Sequence, residues 1–239
     1  LITIRGCINQ FLPTMLRTVI PILRKPPSNQ YLIKLIEVAL ASICNNTSLA
    51  LSILDAEGFT EQFFTLWFDN MDKLQNVYDL KLVVLSLLSI FILPNESIPA
   101  SIQCILGQLS KGLVGAIGAL PAAIKRREEA ENAFDRPVTN NSIINNWNDV
   151  DEEDEEGEEA IESTDNTQRV NAILEAANNI NDSYFSDDSY SETVLDAVNP
   201  YSVVKHTFME LEKNNPERYK LLIEKYTPDD IKTIDQLVI

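Results

Sequence analysis

The chain has 239 residues, with 36 acidic against 19 basic side chains, a formal net charge of -17 and a pI near 4.4. That balance argues against a nucleic-acid binder, because neutralising phosphates takes clustered Lys and Arg, and the sequence offers only the short run Lys125-Arg126-Arg127. The charge is also unevenly placed. Residues 1–134 hold 11 basic and 11 acidic side chains, residues 135–196 hold 2 and 18, and residues 197–239 hold 6 and 7. A neutral first part and a nearly neutral end are joined by a segment that carries almost all the excess, so a basic partner is expected.

The chain opens Leu1-Ile2-Thr3, without Met or a basic leader, directly in an apolar pattern. It reads as a piece of a longer protein. Residues 1–134 follow a helical period and show no sustained alternation of the strand kind. Ile8 to Leu23 is the first expected helix, bounded or bent by Pro13 and Pro21, and Lys25 to Asn29 breaks the pattern. Gln30 to Cys44 follows, with Leu32, Ile36, Ala39 and Ile43 on one stripe and Ile33, Leu40 and Cys44 widening it. A short helix, Ser48 to Ala56, leads through Gly58 to a helix over Thr60 to Leu74 whose face is Phe63, Phe64, Trp67, Phe68 and Met71. Val77 to Leu93 is apolar nearly all round and demands neighbours on several sides. Its uncharged run, Leu82 to Asn95, is 14 residues long, short of the roughly 20 that a bilayer span needs. No membrane insertion is expected. After Pro94 and Pro99, Ala100 to Phe134 reads as one long helix or two, interrupted around Gly112, Gly115, Gly118 and Pro121.

Three helix pairs of roughly 40 residues fit within residues 1–134, the spacing of a HEAT or armadillo α-solenoid. A compact helical bundle is the alternative architecture. The expected fold class is therefore all-α: HEAT-like pairs over 1–134, an acidic and mostly disordered loop over 135–196, and a short helical cap over 197–239. Within the loop, Asp149 to Asp165 carries 11 acidic and no basic side chains in 17 positions, a density at which mutual repulsion opposes compact folding. The cap shows three N-cap residues each followed by Pro: Asn199-Pro200, Asn215-Pro216 and Thr227-Pro228. Pro fits the first helical position because its missing N–H has no partner there. Three short helices over about 200–213, 216–226 and 228–238 follow, each with an apolar stripe that needs a partner.

No catalytic constellation stands out. His206 is the lone histidine, no Cys or Ser lies in a motif that would pair with it, and phosphate-binding glycine loops and Cys-x-x-Cys pairs are missing from the sequence. The acidic run lacks the ligand spacing of a calcium loop. Cys7, Cys44 and Cys104, odd in number and each in an apolar helical setting, read as reduced, buried thiols of an intracellular protein. Neither a cofactor, a metal nor an enzymatic activity is expected. The acidic run itself has two readings of equal weight: a solubilising spacer, or a polyanion that steers Lys/Arg-rich proteins toward the chain.

Three features together resemble the C-terminal part of an importin-beta superfamily transport receptor, in the importin seven/eight branch and its fungal form. One is the helix ending Leu120-Pro121-Ala122-Ala123-Ile124-Lys125-Arg126-Arg127 that runs into an acidic loop. A second is the segment from Tyr190 through Thr193, Leu195, Asp196 and Asn199-Pro200 to Tyr201. The third is Phe208 followed by Asn214-Asn215-Pro216-Glu217-Arg218-Tyr219 and a last helix after Thr227. Val194 departs from the Pro often found in the family there, and the acidic run is short. The resemblance implies a nuclear import receptor, shuttling between cytoplasm and nucleus, that binds Ran-GTP mainly through N-terminal repeats not contained in this chain. It also implies binding to FG-repeat nucleoporins and to basic cargo such as ribosomal proteins or histones. On that reading Asp149, Asp151, Glu152, Glu153, Asp154, Glu155, Glu156, Glu158 and Glu159 engage cargo. Tyr190, Thr193, Leu195, Asp196, Pro200, Tyr201, Phe208, Pro216 and Tyr219 fold back and close the solenoid's open end. An acidic chaperone or helical scaffold for basic proteins, without a transport role, is the competing reading.

Overall fold

The computed structural model describes residues 8–26, 28–134 and 193–238, and their regular structure is helical, with no strand among the described residues. The helices are α1 (Leu12–Arg24), α2 (Asn29–Asn45), α3 (Thr47–Ala56), α4 (Thr60–Phe68), α5 (Val77–Phe91), α6 (Ala100–Gln103), α7 (Leu106–Phe134), α8 (Pro200–Asn214), α9 (Pro216–Ile223) and α10 (Pro228–Val238). The chain divides into two compact units, Leu1–Arg127 with Ser191–Ile239, and Glu128–Tyr190. Of the second unit only the last turns of α7 are described.

Local chemistry sets the helix ends. The Ser28 hydroxyl accepts from the Tyr31 N–H at 3.2 Å and the Asn46 side chain from the Leu49 N–H at 3.2 Å, satisfying amides that the first turns of α2 and α3 leave free. Gly58, at φ 59°, turns the chain out of α3 in the left-handed region that glycine enters without a Cβ penalty. The helix expected over Thr60 to Leu74 stops at Phe68, where the Asn70 side chain donates to the Leu66 carbonyl at 2.8 Å and competes with continuation of the backbone ladder.

The helices stack in two layers. α2, α5 and α8 lie side by side in one; α1, α3, α4 and α6 follow one another in the other, with α1 and α3 also packed against α2. This is helix-on-helix stacking of the α-solenoid kind. α5 is its centre, with 12 of its 15 residues buried. At its contact with α2 the buried Ser86 hydroxyl donates between the Leu82 and Leu40 carbonyls, at 2.8 and 3.1 Å, so a small polar residue closes its own hydrogen bond while permitting close approach. The aromatic face of α4 packs as a cluster in which Phe63 and Phe64 meet edge to face, centroids 5.4 Å apart.

The expected break in the long helix after Pro99 also needs correction. α7 is not interrupted at its glycines or at Pro121: it runs unbroken from Leu106, and the break falls earlier, between α6 and α7 at Cys104 and Ile105. Packing replaces what glycine propensity loses. A Cβ at Gly112 would lie 2.8 Å from Phe68 Cε1 of α4, and one at Gly107 would lie 3.3 Å from the Leu221 carbonyl of α9, so these glycines admit neighbours instead of ending the helix. The helix that completes the α2–α5 layer lies outside residues 1–134. It is α8, which follows the acidic run in sequence, and its Val204 and Leu211 share one core with Leu82, Val83 and Leu87 of α5.

Candidate functional site

The described residues expected to close the solenoid lie in the Thr193 to Asp196 turn and on the helices that follow it. Thr193 to Asp196 forms a turn in which the Asp196 carboxylate accepts from the Thr193 N–H at 2.6 Å and from its hydroxyl at 3.1 Å. Arg127, on α7, donates to the same carboxylate at 2.6 Å. Partial burial pushes the Asp196 carboxyl up, but the Thr193 and Arg127 hydrogen bonds outweigh it and hold the group below its ordinary value. Leu195 is fully buried in the shared core. Its carbonyl accepts from Lys81 Nζ of α5 at 2.8 Å, with the Asp196 carbonyl at 3.4 Å. A lysine on the central helix thus spends its charge on the carbonyl end of a turn 114 positions away in sequence.

α8 starts at Asn199, whose side chain accepts from the Tyr201 and Ser202 amides at 3.1 and 3.3 Å. Pro200 is buried behind this cap and Tyr201 is half-buried, its phenol raised by burial. Phe208 of α8 and Tyr219 of α9 meet edge to face with centroids 6.1 Å apart. Pro216 is exposed at the first position of α9, where Asn215 accepts from the Arg218 N–H at 3.2 Å. The Arg218 guanidinium is buried and donates to the Phe91 carbonyl at 3.0 Å, to the Leu93 carbonyl and to the Asn95 side chain. It therefore covers carbonyls that the end of α5 leaves without intrahelical partners. Burial lowers the Arg218 pKa and Glu96 opposes that shift.

Two further contacts fix α9 and α10 on α7. The Ser110 and Tyr226 hydroxyls are 2.5 Å apart, and burial pushes the Tyr226 phenol up to about 12. Lys111 lies 3.9 Å from Asp230, whose carboxylate also accepts from the Thr227 N–H and hydroxyl at 2.7 and 2.8 Å. The Thr227 amide, its hydroxyl and the Lys111 charge keep Asp230 below its ordinary value.

Thr193, Leu195, Asp196, Pro200, Tyr201, Phe208, Pro216 and Tyr219 thus all lie on the segment seated against α5 and α7 or on the helices it carries. Tyr190 and the acidic residues Asp149, Asp151, Glu152, Glu153, Asp154, Glu155, Glu156, Glu158 and Glu159 lie outside the described residues. Sequence reasoning gave no anchoring role to Lys81, Arg127 or Arg218, the three basic anchors. For Lys81 a signal existed: a lysine in a helix whose one other charged residue is Asp79 is expensive to bury unless something accepts from it.

A separate groove of about 920 Å³ opens between α4, α6 and α7. Cys104 lines it and is exposed, contrary to the expectation of a buried thiol, whereas Cys44 is buried; Cys7 lies outside the described residues. The reason is register: Cys104 leaves α6 on its outward side, and Ile102 takes the inward place. His206 is exposed on α8. Among the described residues no group of three His, Cys, Asp or Glu side chains could hold a metal ion, and no helix is long and apolar enough to cross a membrane.

No protein-family model matches the chain, and no solved structure does. It is similar to the importin beta-like SAD2 homolog of Arabidopsis thaliana, 29% identical over 109 residues, a stretch that covers 42% of this chain and 11% of that protein. The similarity supports a relationship at the level of the importin-beta superfamily. The chain spans about a ninth of that relative's length.

Proposed function

We propose that this chain is the C-terminal part of an importin-beta-like nuclear transport receptor whose acidic run engages basic cargo. The observation that carries the proposal is the partial similarity to an importin beta-like protein in a chain whose helices stack in two layers, the architecture expected of such a receptor's solenoid. Charge placement agrees with it: 18 of the 36 acidic side chains sit in residues 135–196, between α7 and α8 in sequence, and negative charge at that density draws Lys/Arg-rich proteins over about a Debye length, roughly 8 to 10 Å. Ran-GTP, acting mainly on repeats outside this chain, and FG-repeat nucleoporins complete the proposed partner set, with shuttling between cytoplasm and nucleus as the consequence. Assignment to the importin seven/eight branch in its fungal form is the finer part of the proposal, and it rests on the Tyr190 to Tyr201 and Asn214 to Tyr219 segments.

The test is import of a fluorescent ribosomal protein into the nuclei of permeabilised cells by the complete receptor, with and without residues 149–165. Accumulation that needs Ran and energy, and that falls on deletion, is the expected result. A protein that keeps the cargo soluble but never delivers it to nuclei is a chaperone for basic proteins instead.

A further inference from the structure

The groove between α4, α6 and α7 has a composition that the transport reading does not use. Its apolar side is built by Phe64 and Phe68 of α4 and by Ile102 and Ile105 at the turn from α6 into α7. Two carboxylates, Glu61 and Asp69, line the same groove from α4 and its C-terminal end; both are exposed, and neither has a basic partner among the described residues. The one lysine of the lining, Lys111, lies 3.9 Å from Asp230 of α10. On the α7 side, Gly115 lines the groove and a Cβ there would meet nothing within 4 Å, so helix backbone is open to an incoming group.

We infer that this groove is a docking site for a short segment of a basic partner, with one large apolar side chain entering between α4 and α7 and a Lys or Arg on either side meeting Glu61 and Asp69. The spacing suits such a segment. Eight helical positions separate the two carboxylates, about 12 Å along the axis, and an extended peptide covers that distance in about four residues, which places basic residues two positions before and two after the apolar one. Burying the apolar side chain supplies the attraction, and the uncompensated carboxylates select basic flanks over acidic ones. The inference stands independently of the transport reading, since the groove is lined by α4, α6 and α7 and by no residue of the Thr193 to Asp196 turn.

Cys104 supplies a local readout, because its thiol lines the groove and is exposed. The experiment follows alkylation of Cys104 by a maleimide in the full chain carrying Cys7→Ser, with blocked peptides of the patterns Lys-Ser-Phe-Ser-Lys, Ser-Ser-Phe-Ser-Ser, Glu-Ser-Phe-Ser-Glu and Lys-Ser-Ser-Ser-Lys. The first should protect Cys104 saturably, at about tenfold lower concentration than the uncharged one, since two exposed ion pairs contribute about one decade together. The last two should not protect. Glu61→Gln with Asp69→Asn should remove the preference for lysine, and Gly115→Leu, whose Cβ would meet nothing within 4 Å, should abolish protection while the helical circular dichroism is retained. Four results would overturn the inference: no protection by any peptide; equal protection without Phe; equal protection with uncharged flanks, the sign of a groove that reads aromatic side chains alone; or protection that survives Gly115→Leu.

Discussion

Arg218 brings a guanidinium into a position only 6% exposed, and its worth there is decided by what it covers: the Phe91 and Leu93 carbonyls and the Asn95 side chain at the end of α5. Arg218→Met keeps the stem's packing and strips the donors, leaving buried carbonyls unmet. It should lower unfolding stability by about 2 to 4 kcal/mol, read as a lower urea midpoint at unchanged slope. Tyr226 makes a second prediction at this scale, one of pH. Its phenol titrates near 10 when unfolded and at about 12 when folded, so the unfolded chain loses the proton first. The stability it contributes is complete below pH 10 and is lost as the pH climbs toward 12, by about 2 to 3 kcal/mol in all. A Tyr226→Phe chain, which keeps the ring and cannot ionise, should show a shallower decline in alkaline melting than the parent. Equal declines would mean that the phenol is not held neutral by its surroundings.

At the scale of elements, α7 shows why helix boundaries were only partly legible. Three-residue spacing of Gly112, Gly115 and Gly118 reads equally as a weak helix or as a close-packing face, and only neighbours distant in sequence decide between them. Phe68 occupies the space over Gly112, while the space over Gly115 is open. The two positions should therefore respond oppositely to alanine. Gly115→Ala gains helix propensity without contact and should raise the melting temperature, by the equivalent of about 0.5 to 1 kcal/mol. Gly112→Ala gains the same propensity but must displace an aromatic ring, and overpacking costs about 1 to 3 kcal/mol, so its melting temperature should fall. Calorimetry of the pair checks this; two rises would mean that α4 gives way freely. The caps at Asn199 and Asn215 were legible in the sequence because a cap is local: an Asn, a Pro and two free amides within four positions. The end of α4 at Phe68 was less so, since the apolar pattern runs on to Met71 and Leu74 after the helix has stopped.

Across the whole molecule, the helical class and the charge segregation were legible from periodicity and composition, and the pairing of layers was not. Nothing local in Pro200–Asn214 says that it completes the layer begun by α2 and α5, because that depends on Leu195, Val204, Leu211 and Leu222 entering a core built by residues 16–123. The basic anchors Lys81, Arg127 and Arg218 were hidden for the same reason: each meets its acceptor across 69 to 127 positions. Truncation after Asp196 removes α8, α9 and α10 and exposes the part of α5 against which α8 packs. It should lower the melting temperature and raise binding of a hydrophobic dye, and an unchanged melting curve would show that residues 8–127 hold together without those helices.

The proposed function requires that the complete protein exchange basic cargo for Ran-GTP, and equilibrium competition tests it most directly. A labelled, Lys-rich ribosomal protein bound to the complete protein is titrated with Ran locked in its GTP form. The account predicts that Ran-GTP releases the cargo while Ran-GDP does not. Cargo that stays bound at saturating Ran-GTP would contradict it.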